Sequence, residues 1–279
     1  MKVAIVGVGL IGGSAALVLR QKGLASHIIG VEASPAHAAK AIELGIVDEV
    51  LPLPEAIAQS EVVILAVPVD SAIDVLLPVL DLVTTQVVMD MGSTKAQIID
   101  AVAAHPNRGR FVAAHPMWGT EFSGPEAATV YAYAGKAAII CNASDSDADA
   151  LATAEQLLKN IGMYLVYMDA HDHDVHTAYI SHISHITSFA LANTVLEKEK
   201  EEQAIFELAS AGFESTVRLA KSNPDMWVPI FRQNRDNVLD VLNEHIAQLR
   251  KFKACLEKEN WDYLRELIGN ANNIKRILK

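Results

Sequence analysis

The chain has 279 residues, of which 51% are hydrophobic and 20% are charged, and its formal net charge is −11 at pH 7. This length allows two domains with substantial cores, and the negative charge argues against a nucleic acid or an anionic membrane surface as partner. The distant cysteines Cys141 and Cys255 are typical of reduced thiols in a cytoplasmic protein. No apolar run is long enough to predict a membrane span.

The first segment joins an apolar strand, Val3–Val6, to the pattern Gly-x-Gly-x-x-Gly and then to a helical pattern. This order is the fingerprint of a dinucleotide-binding βαβ unit. Gly7 permits the tight turn, Gly9 lets the backbone approach a pyrophosphate, and Gly12 lets the helix pack closely on the strand. A secretory signal is the alternative interpretation, but a signal sequence does not need three glycines at turn spacing.

Strand and helix patterns alternate through the first 168 residues. The further predicted strands cover 27–31, 62–68, 86–90, 110–114, 136–141 and 163–168, and the predicted helices cover 36–44, 70–80 and 147–161. This alternation predicts an α/β fold with a Rossmann-type, doubly wound, mainly parallel sheet. Ligands of such sheets bind beyond the carboxyl ends of the strands, so binding segments are expected at 7–12, 67–69 and 91–95.

Beyond Asp169 the pattern changes to helical periods, in segments near 171–198, 203–221 and 225–256. The sequence therefore predicts a dinucleotide-binding domain over 1–168 and an all-helical domain over 169–279. The charge run 197–202 is interpreted as a solvated helix end and turn.

Glu32 ends the second predicted strand, where an acidic residue accepts hydrogen bonds from both ribose hydroxyls of NAD and repels the 2′-phosphate of NADP. No Lys or Arg follows before Lys40 to bind such a phosphate. NAD is therefore the predicted cofactor, and a surface Glu without a ligand is the alternative.

Histidines stand out in two places. His115 leaves a predicted strand and precedes a polar, Gly-rich loop, which indicates a site. A second set clusters beyond the sheet: His171, His173, His176, His182 and His185. No Glu-x-x-His or cysteine ligands accompany this set, so we expect no metal. His171 and His173 are interpreted as polar residues of a helix start, whereas His182 belongs to a polar face suited to a small ligand.

Arg218 and Trp227 flank a turn-like segment, Ser222–Met226, in the last third of the chain. An Arg supplies a planar fork for a carboxylate and a Trp supplies an aromatic wall. The alternative is ordinary surface cations and a core Trp, which we accept for Arg232 and Arg235.

Four motifs behind the fingerprint carry a family resemblance. They are His-Pro-Met-x-Gly-Thr-Glu-x-Ser-Gly over 115–124, Asp-x-Gly-Ser-x-Lys over 90–95, Ser-His-x-x-His over 181–185 and Arg-x-Ala-Lys-Ser-x-Pro-x-Met-Trp over 218–227. With these motifs the chain resembles the prephenate and arogenate dehydrogenases of tyrosine biosynthesis, from residue 3 to about 245. The resemblance implies NAD-dependent oxidative decarboxylation of prephenate to 4-hydroxyphenylpyruvate and a homodimer formed through the helical domain.

The resemblance also implies residue roles. His115 would hydrogen-bond the ring hydroxyl of the substrate with help from Ser93, and Arg218 would bind a substrate carboxylate. From its position at a strand exit, we further predict that His115 accepts the hydroxyl proton as a neutral base oriented by Ser93. The substrate site would be lined by Thr120, Glu121, His182, Arg218 and Trp227, with Trp227 reaching from a partner subunit. The cofactor site would comprise Gly7, Gly9, Leu10, Ile11, Gly12, Glu32, Val67 and Pro68.

The chain departs from the family pattern at Trp118, where Ala is usual, and at Ser184, where Pro is usual. Ser215 and Val217 likewise replace the usual Asp and Thr before Arg218. Arogenate, which differs from prephenate by a keto-to-amino exchange, stays open as the substrate. One alternative is a dehydrogenase of 3-hydroxy acids, but the lysine that such enzymes carry on their central helix has no match in this sequence. The other, from a different class, is a non-catalytic redox sensor that binds NAD.

Overall fold

The computed structural model describes residues 1–200 and 206–277. The strands are β1 Lys2–Val6, β2 His27–Val31, β3 Glu49–Val50, β4 Val62–Leu65, β5 Val87–Asp90, β6 Phe111–Pro116, β7 Ala137–Cys141 and β8 Tyr164–Met168. The helices are α1 Leu10–Gln21, α2 Pro35–Glu43, α3 Leu53–Ala58, α4 Val69–Leu82, α5 Ala96–Val102, α6 Ala148–Asn160, α7 Ala170–Thr177, α8 Ile183–Glu199, α9 Ala211–Val217, α10 Pro224–Gln233, α11 Arg235–Glu257 and α12 Trp261–Ala271.

All these strands form one eight-stranded sheet in the order β3-β2-β1-β4-β5-β6-β7-β8. Strands β1 to β6 pair in parallel, β7 pairs antiparallel with β6, and β8 pairs in parallel with β7. The order of the first six strands is that of the Rossmann fold, whose switch point lies between β1 and β4. The predicted Rossmann-type, mainly parallel sheet is confirmed.

The core lies on both faces of this sheet. Along β1, Val3 and Ile5 belong to one apolar cluster while Ala4 and Val6 belong to the other, because successive side chains of a strand point to opposite faces. Helices α1 and α6 cover the first face, and α3, α4 and α5 cover the second. Burial on both faces explains the nearly continuous apolar runs of the strands.

The helical part begins at α7, directly after β8. The predicted segment 171–198 is divided by a π-helical turn, Ala178–His182, and the segment 225–256 is divided at Asn234. The predicted helix over 203–221 is represented by α9 and short 3₁₀ turns, and residues 201–205, including the end of the charge run, lie outside the described residues. None of the described helices is long and apolar enough to cross a membrane.

Gln233, at the end of α10, holds the helical part against the sheet. Its amide accepts a hydrogen bond from Thr94 Oγ1 at 2.6 Å and donates one to the Val69 carbonyl. Its backbone carbonyl accepts a hydrogen bond from Gln97 at 2.9 Å. Val69 also packs in an apolar cluster with Trp227 and Ile230. Helix α10 therefore packs at the carboxyl edge of the sheet, and the junction between the two parts is the natural place to look for a site.

Candidate active site

The Gly-rich loop between β1 and α1 adopts the conformation that its glycines require. Gly7 has a φ of +89°, and a Cβ there would lie 2.6 Å from the Ala66 carbonyl oxygen. A Cβ on Gly12 would lie 2.0 Å from the Gly7 carbonyl oxygen. A Cβ on Gly9 would meet no atom within 4 Å. The loop is thus closed around Gly7 and Gly12 and open at Gly9, as a backbone cradle for a pyrophosphate must be.

The amino end of α1 fits the same ligand. Its N-cap residue, Gly9, has no side chain to cap the helix, and no acidic residue occupies the first turn. The N–H groups of Leu10, Ile11 and Gly12 are among the first of the helix, which have no carbonyl partner within it. Together with the helix dipole they attract a phosphate. These residues fit a bound dinucleotide.

Glu32 lies beside the loop at the end of β2. Its Oε2 accepts a hydrogen bond from Val8 N at 3.1 Å, and its Oε1 accepts one from Ser34 N at 2.9 Å. The backbone therefore fixes the carboxylate next to the turn, and the remaining lone pairs can accept hydrogen bonds from ribose hydroxyls. Val67 and Pro68 follow β4 on the other side of the switch point, and Pro68 is the N-cap residue of α4.

His115 lies near the end of β6 at the same edge of the sheet and is half-buried. Its Nδ1 is 2.8 Å from Nε2 of His173, and the two rings meet edge to face. Desolvation lowers the pKa of His115 well below its usual value, and the neighbouring His173, Lys95 and His182 act in the same direction. The imidazole is therefore neutral at neutral pH, as a general base must be.

His173 lies at the start of a helix, α7, as the sequence suggested, and its side chain is fully buried. Its Nδ1 is 2.7 Å from Asp174 Oδ1. Asp174 in turn accepts hydrogen bonds from the backbone N–H groups of Lys95 and Ala96, at 2.8 and 2.9 Å. Asp174 was not predicted as a site residue and His173 was not predicted to contact His115, although their position in a His-rich segment was a signal.

A buried ion pair lies behind His115. Asp90, the last residue of β5, binds the ammonium group of Lys95, and both side chains are almost fully buried. The other Asp90 oxygen accepts a hydrogen bond from Ala114 N at 3.0 Å, while Gly92 N donates to the same oxygen as Lys95. The pair therefore fixes the loop 91–95 against β6 beside His115.

Ser93 lies on this loop and is half-buried. Among the described residues, the hydrogen-bond partner of the His115 ring is His173 rather than Ser93. No hydrogen bond among the described residues joins Ser93 to the imidazole, and an orienting role of Ser93 stays a prediction. A role of Ser93 toward the substrate hydroxyl stays a prediction.

Arg218 forms an ion pair with Glu121, the residue that follows Thr120 in the chain. The loop after β6 carries Thr120, whose hydroxyl accepts a hydrogen bond from Phe122 N at 3.3 Å. Arg218 Nη1 lies 3.1 Å from Glu121 Oε2, and the side chain of Arg218 is 52% exposed whereas that of Glu121 is 17% exposed. The guanidinium group keeps exposed donors for an incoming carboxylate.

His182, the N-cap residue of α8, contacts Trp227 of α10 edge to face, with 5.9 Å between the ring centroids. His182 Nδ1 is 3.2 Å from the Asn234 amide, and desolvation lowers the pKa of His182 to about 4. Trp227 is 7% exposed and stacks on His185 with 3.5 Å between ring centroids. In this structure Trp227 is thus packed within its own chain, and its buried Nε1 has no hydrogen-bond partner among the described residues.

The departure at Trp118 has a structural explanation. Trp118 packs edge to face on Tyr133 with 5.6 Å between centroids, and the Tyr133 hydroxyl donates a hydrogen bond to the Ile11 carbonyl at 2.7 Å. The loop that follows His115 is thereby tied to α1. Ser184 and Ser215 donate local hydrogen bonds, to the carbonyls of Ile180 and Gly212.

A Rossmann-type sheet, an open glycine cradle with an acidic residue beside it, and a neutral histidine at the same edge define a dinucleotide-dependent oxidoreductase. Family models described as the prephenate dehydrogenase nucleotide-binding domain and dimerization domain match residues 15–167 and 169–270. The chain belongs to the prephenate dehydrogenase family.

Individual relatives agree with this assignment. The chain is 31% identical to prephenate dehydrogenase of Bacillus subtilis over 98% of this chain and 75% of that protein. The crystal structure of the Aquifex aeolicus prephenate dehydrogenase with hydroxyphenyl propionate and NAD⁺ has a TM-score of 0.90 and 31% identity, covering 99% of this chain and 97% of that one. The Synechocystis arogenate dehydrogenase has a TM-score of 0.78 and 26% identity over 100% of both chains.

Proposed function

We propose that the protein catalyses the NAD-dependent oxidative decarboxylation of prephenate to 4-hydroxyphenylpyruvate. The observation that carries this proposal is the position of His115: its neutral imidazole lies at the carboxyl edge of the sheet whose glycine loop fits a dinucleotide. Bound NAD supplies the hydride acceptor. The family and its relatives support prephenate as the substrate.

The proton balance of this reaction suits a single histidine. When the hydride leaves the hydroxyl-bearing ring carbon, the hydroxyl O–H bond breaks, a carbonyl forms and His115 takes the proton. Cleavage of the ring–carboxylate bond then releases CO₂ and sends its electron pair into the ring, which becomes a phenolate. The His115 imidazolium returns its proton to that oxygen. No net proton is released, so the site needs a group that holds one proton for part of the cycle.

The other site residues bind and orient the substrate. Arg218 presents a planar fork to a carboxylate, and its ion pair with Glu121 orients that fork. Thr120 and Ser93 supply hydroxyl groups on the loops that flank His115, and His182 and Trp227 form an apolar wall with one imidazole. Such positioning lowers the barrier because the substrate enters with its ring hydroxyl close to the base.

We further assign residues 1–168 to cofactor binding and 169–279 to substrate binding and assembly. The described strands end at Met168 and the following elements are helical. A homodimer through the helical domain is supported by the description of its family model and by exposed apolar residues on α12, including Trp261 and Ile268. Two buried free thiols, Cys141 and Cys255, fit a cytoplasmic location.

Arogenate is the second candidate substrate, because a relative of similar fold is an arogenate dehydrogenase. Formation of NADH, followed by absorbance with prephenate or arogenate and with NAD or NADP, tests the proposal. We expect turnover with prephenate and NAD. A protein that binds NAD but reduces none of it with either substrate would instead be a redox sensor.

A further inference from the structure

We propose that His173 and Asp174 are positioning residues that fix the tautomer of His115 and leave its Nε2 as the proton acceptor. The proposal deepens the function given above and rests on it for the identity of the reaction. The tautomer of His115 does not depend on that function, because hydrogen bonds within the protein determine it.

Asp174, at the far end of this chain of hydrogen bonds, is ionised. Its Oδ2 accepts a hydrogen bond from Ala96 N, and its Oδ1 accepts one from Lys95 N. Although burial disfavours the charge, the hydrogen bonds from His173 and these two N–H groups lower the pKa of Asp174 below its usual value. An ionised carboxylate only accepts, so the Nδ1 atom of His173, 2.7 Å away, must carry a proton and donate it.

The tautomer of His173 then determines that of His115. Burial is the largest influence on His173 and its pKa lies below the usual value, so this imidazole is neutral. A neutral imidazole with its proton on Nδ1 has a bare Nε2, which is an acceptor. His115 Nδ1, 2.8 Å from that atom, must therefore donate. Since His115 is neutral as well, its own Nε2 is unprotonated and is the atom that can take the hydroxyl proton.

The same chain keeps the His115 ring oriented after it has taken the proton. The imidazolium form still donates from Nδ1 to His173, whose opposite side contacts the Asp174 carboxylate. The arrangement resembles a nucleophile triad, in which a carboxylate fixes the tautomer of a histidine without taking its proton. The other charged or titratable groups that act on His115 are Lys95 and His182, and both lower its pKa; the Lys95 charge is partly offset by Asp90.

The chain of hydrogen bonds also joins the two parts of the molecule. His115 belongs to β6 and Lys95 to the loop after β5, whereas His173 and Asp174 belong to α7. Asn234, between α10 and α11, donates to the Asp174 carbonyl at 2.6 Å and contacts His182 Nδ1. The base is therefore competent only when α7 is docked on the sheet.

The direct test is ¹⁵N NMR of the imidazole nitrogens in the full-length protein at neutral pH, with His115 assigned from the spectrum of His115→Asn. We expect His115 to be neutral with its proton on Nδ1 and a bare Nε2. A proton on Nε2 of His115 would overturn the proposal, whether or not prephenate is the substrate.

The kinetic test compares His173→Leu with His173→Gln, and uses His171→Leu, an exposed residue of the same helix, as the matched control. Leu removes the acceptor for the His115 Nδ1 proton, so kcat should fall at least about 10²-fold with little change in the KM for NAD. Gln can place its amide oxygen where Nε2 was, so it should recover part of the loss.

The pH profile separates positioning from simple support of the fold. Loss of His173 changes the hydrogen bonding and electrostatics at the His115 ring, so the acid limb of kcat/KM should shift in His173→Leu relative to wild type and to His171→Leu. A loss of kcat with an unmoved acid limb and no recovery in His173→Gln would mean that His173 only supports the fold. If His115→Asn is inactive and His173→Leu is normal, the proposal fails while the proposed function stands.

Discussion

At the residue scale, the charge state of His115 decides whether the site can act as a base. Desolvation is the largest cause of its lowered pKa, and Lys95 adds to it from a buried position. The imidazole therefore stays neutral at pH values at which an ordinary histidine would be protonated, and it can accept a proton. The nearby hydrogen bonds of His173 select which nitrogen does so.

Glu32→Ala should weaken NAD binding and relax the exclusion of NADP. The carboxylate would lose charge-assisted hydrogen bonds to the ribose, worth about 1.5–3 kcal/mol. Isothermal titration with NAD and NADP measures both effects, and Glu49→Ala on the neighbouring strand is the matched control. A native preference for NADP would show that Glu32 does not select the cofactor.

Arg218→Lys should raise the KM for prephenate sharply and leave NAD binding unchanged. Lys keeps the charge but lacks the planar fork that binds a carboxylate through two parallel hydrogen bonds. Steady-state kinetics on Arg218→Lys and on Arg235→Lys, an exposed control on α11, provides the comparison. An unchanged KM would mean that Lys221 or Arg232, rather than Arg218, binds the substrate carboxylate.

The sequence identified His115, but its partners His173 and Asp174 were missed. Their roles come from a contact between residues 58 positions apart in the chain, and local pattern carries no information on such a pairing. His173 was interpreted only as a polar residue of a helix start. It does lie at the start of α7, but the packing of that helix buries its ring, which the local sequence does not indicate.

At the element scale, different glycines of the turn between β1 and α1 serve helix packing and ligand binding. Gly12 lets the helix approach the strand, whereas Gly9 leaves open space for a ligand. Seven of the eight described strands could be predicted because burial gives them continuous apolar runs, whereas the two-residue strand β3 was not predicted. The antiparallel pairing of β7, the π-helical turn at Ala178–His182 and the break at Asn234 could not, because tertiary contacts decide them.

Gly9→Ala and Gly12→Ala should therefore differ. In Gly9→Ala the added Cβ meets no protein atom, so thermal stability should be kept while NAD affinity falls at least about tenfold through contact with the pyrophosphate. In Gly12→Ala the Cβ overlaps the Gly7 carbonyl oxygen, so both stability and affinity should fall. Melting temperatures with and without NAD distinguish the two, and equal stability of both variants would contradict the packing argument.

At the scale of the whole molecule, the site lies where the helical part covers the carboxyl edge of the sheet. Gln233 and Asn234 bind residues on both sides of this junction, and α7 carries the partners of His115. The sequence predicted binding segments at the carboxyl ends of the strands, but the side chains that join the sheet to the helical part could be identified only from their contacts.

The proposed homodimer gives a prediction at this scale. Ile268 on α12 is 50% exposed, so Ile268→Glu should place a charge in the interface and shift the protein toward monomer. Tyr131→Glu is the matched control, because Tyr131 is 84% exposed on the sheet region. Light scattering after size-exclusion chromatography measures the mass, and a wild-type monomer at micromolar concentration would rule out the dimer.

The central claim is that His115 takes the ring-hydroxyl proton during hydride transfer from prephenate to NAD. The most direct test is NADH formation by wild type and His115→Asn across a range of pH. We predict that kcat falls by about 10²–10⁴ in His115→Asn with a smaller change in KM. The wild-type kcat/KM should fall at low pH, as His115 becomes protonated, and this limb should be absent in the variant. Near-normal turnover by His115→Asn would contradict the claim and leave His182 as the next candidate base.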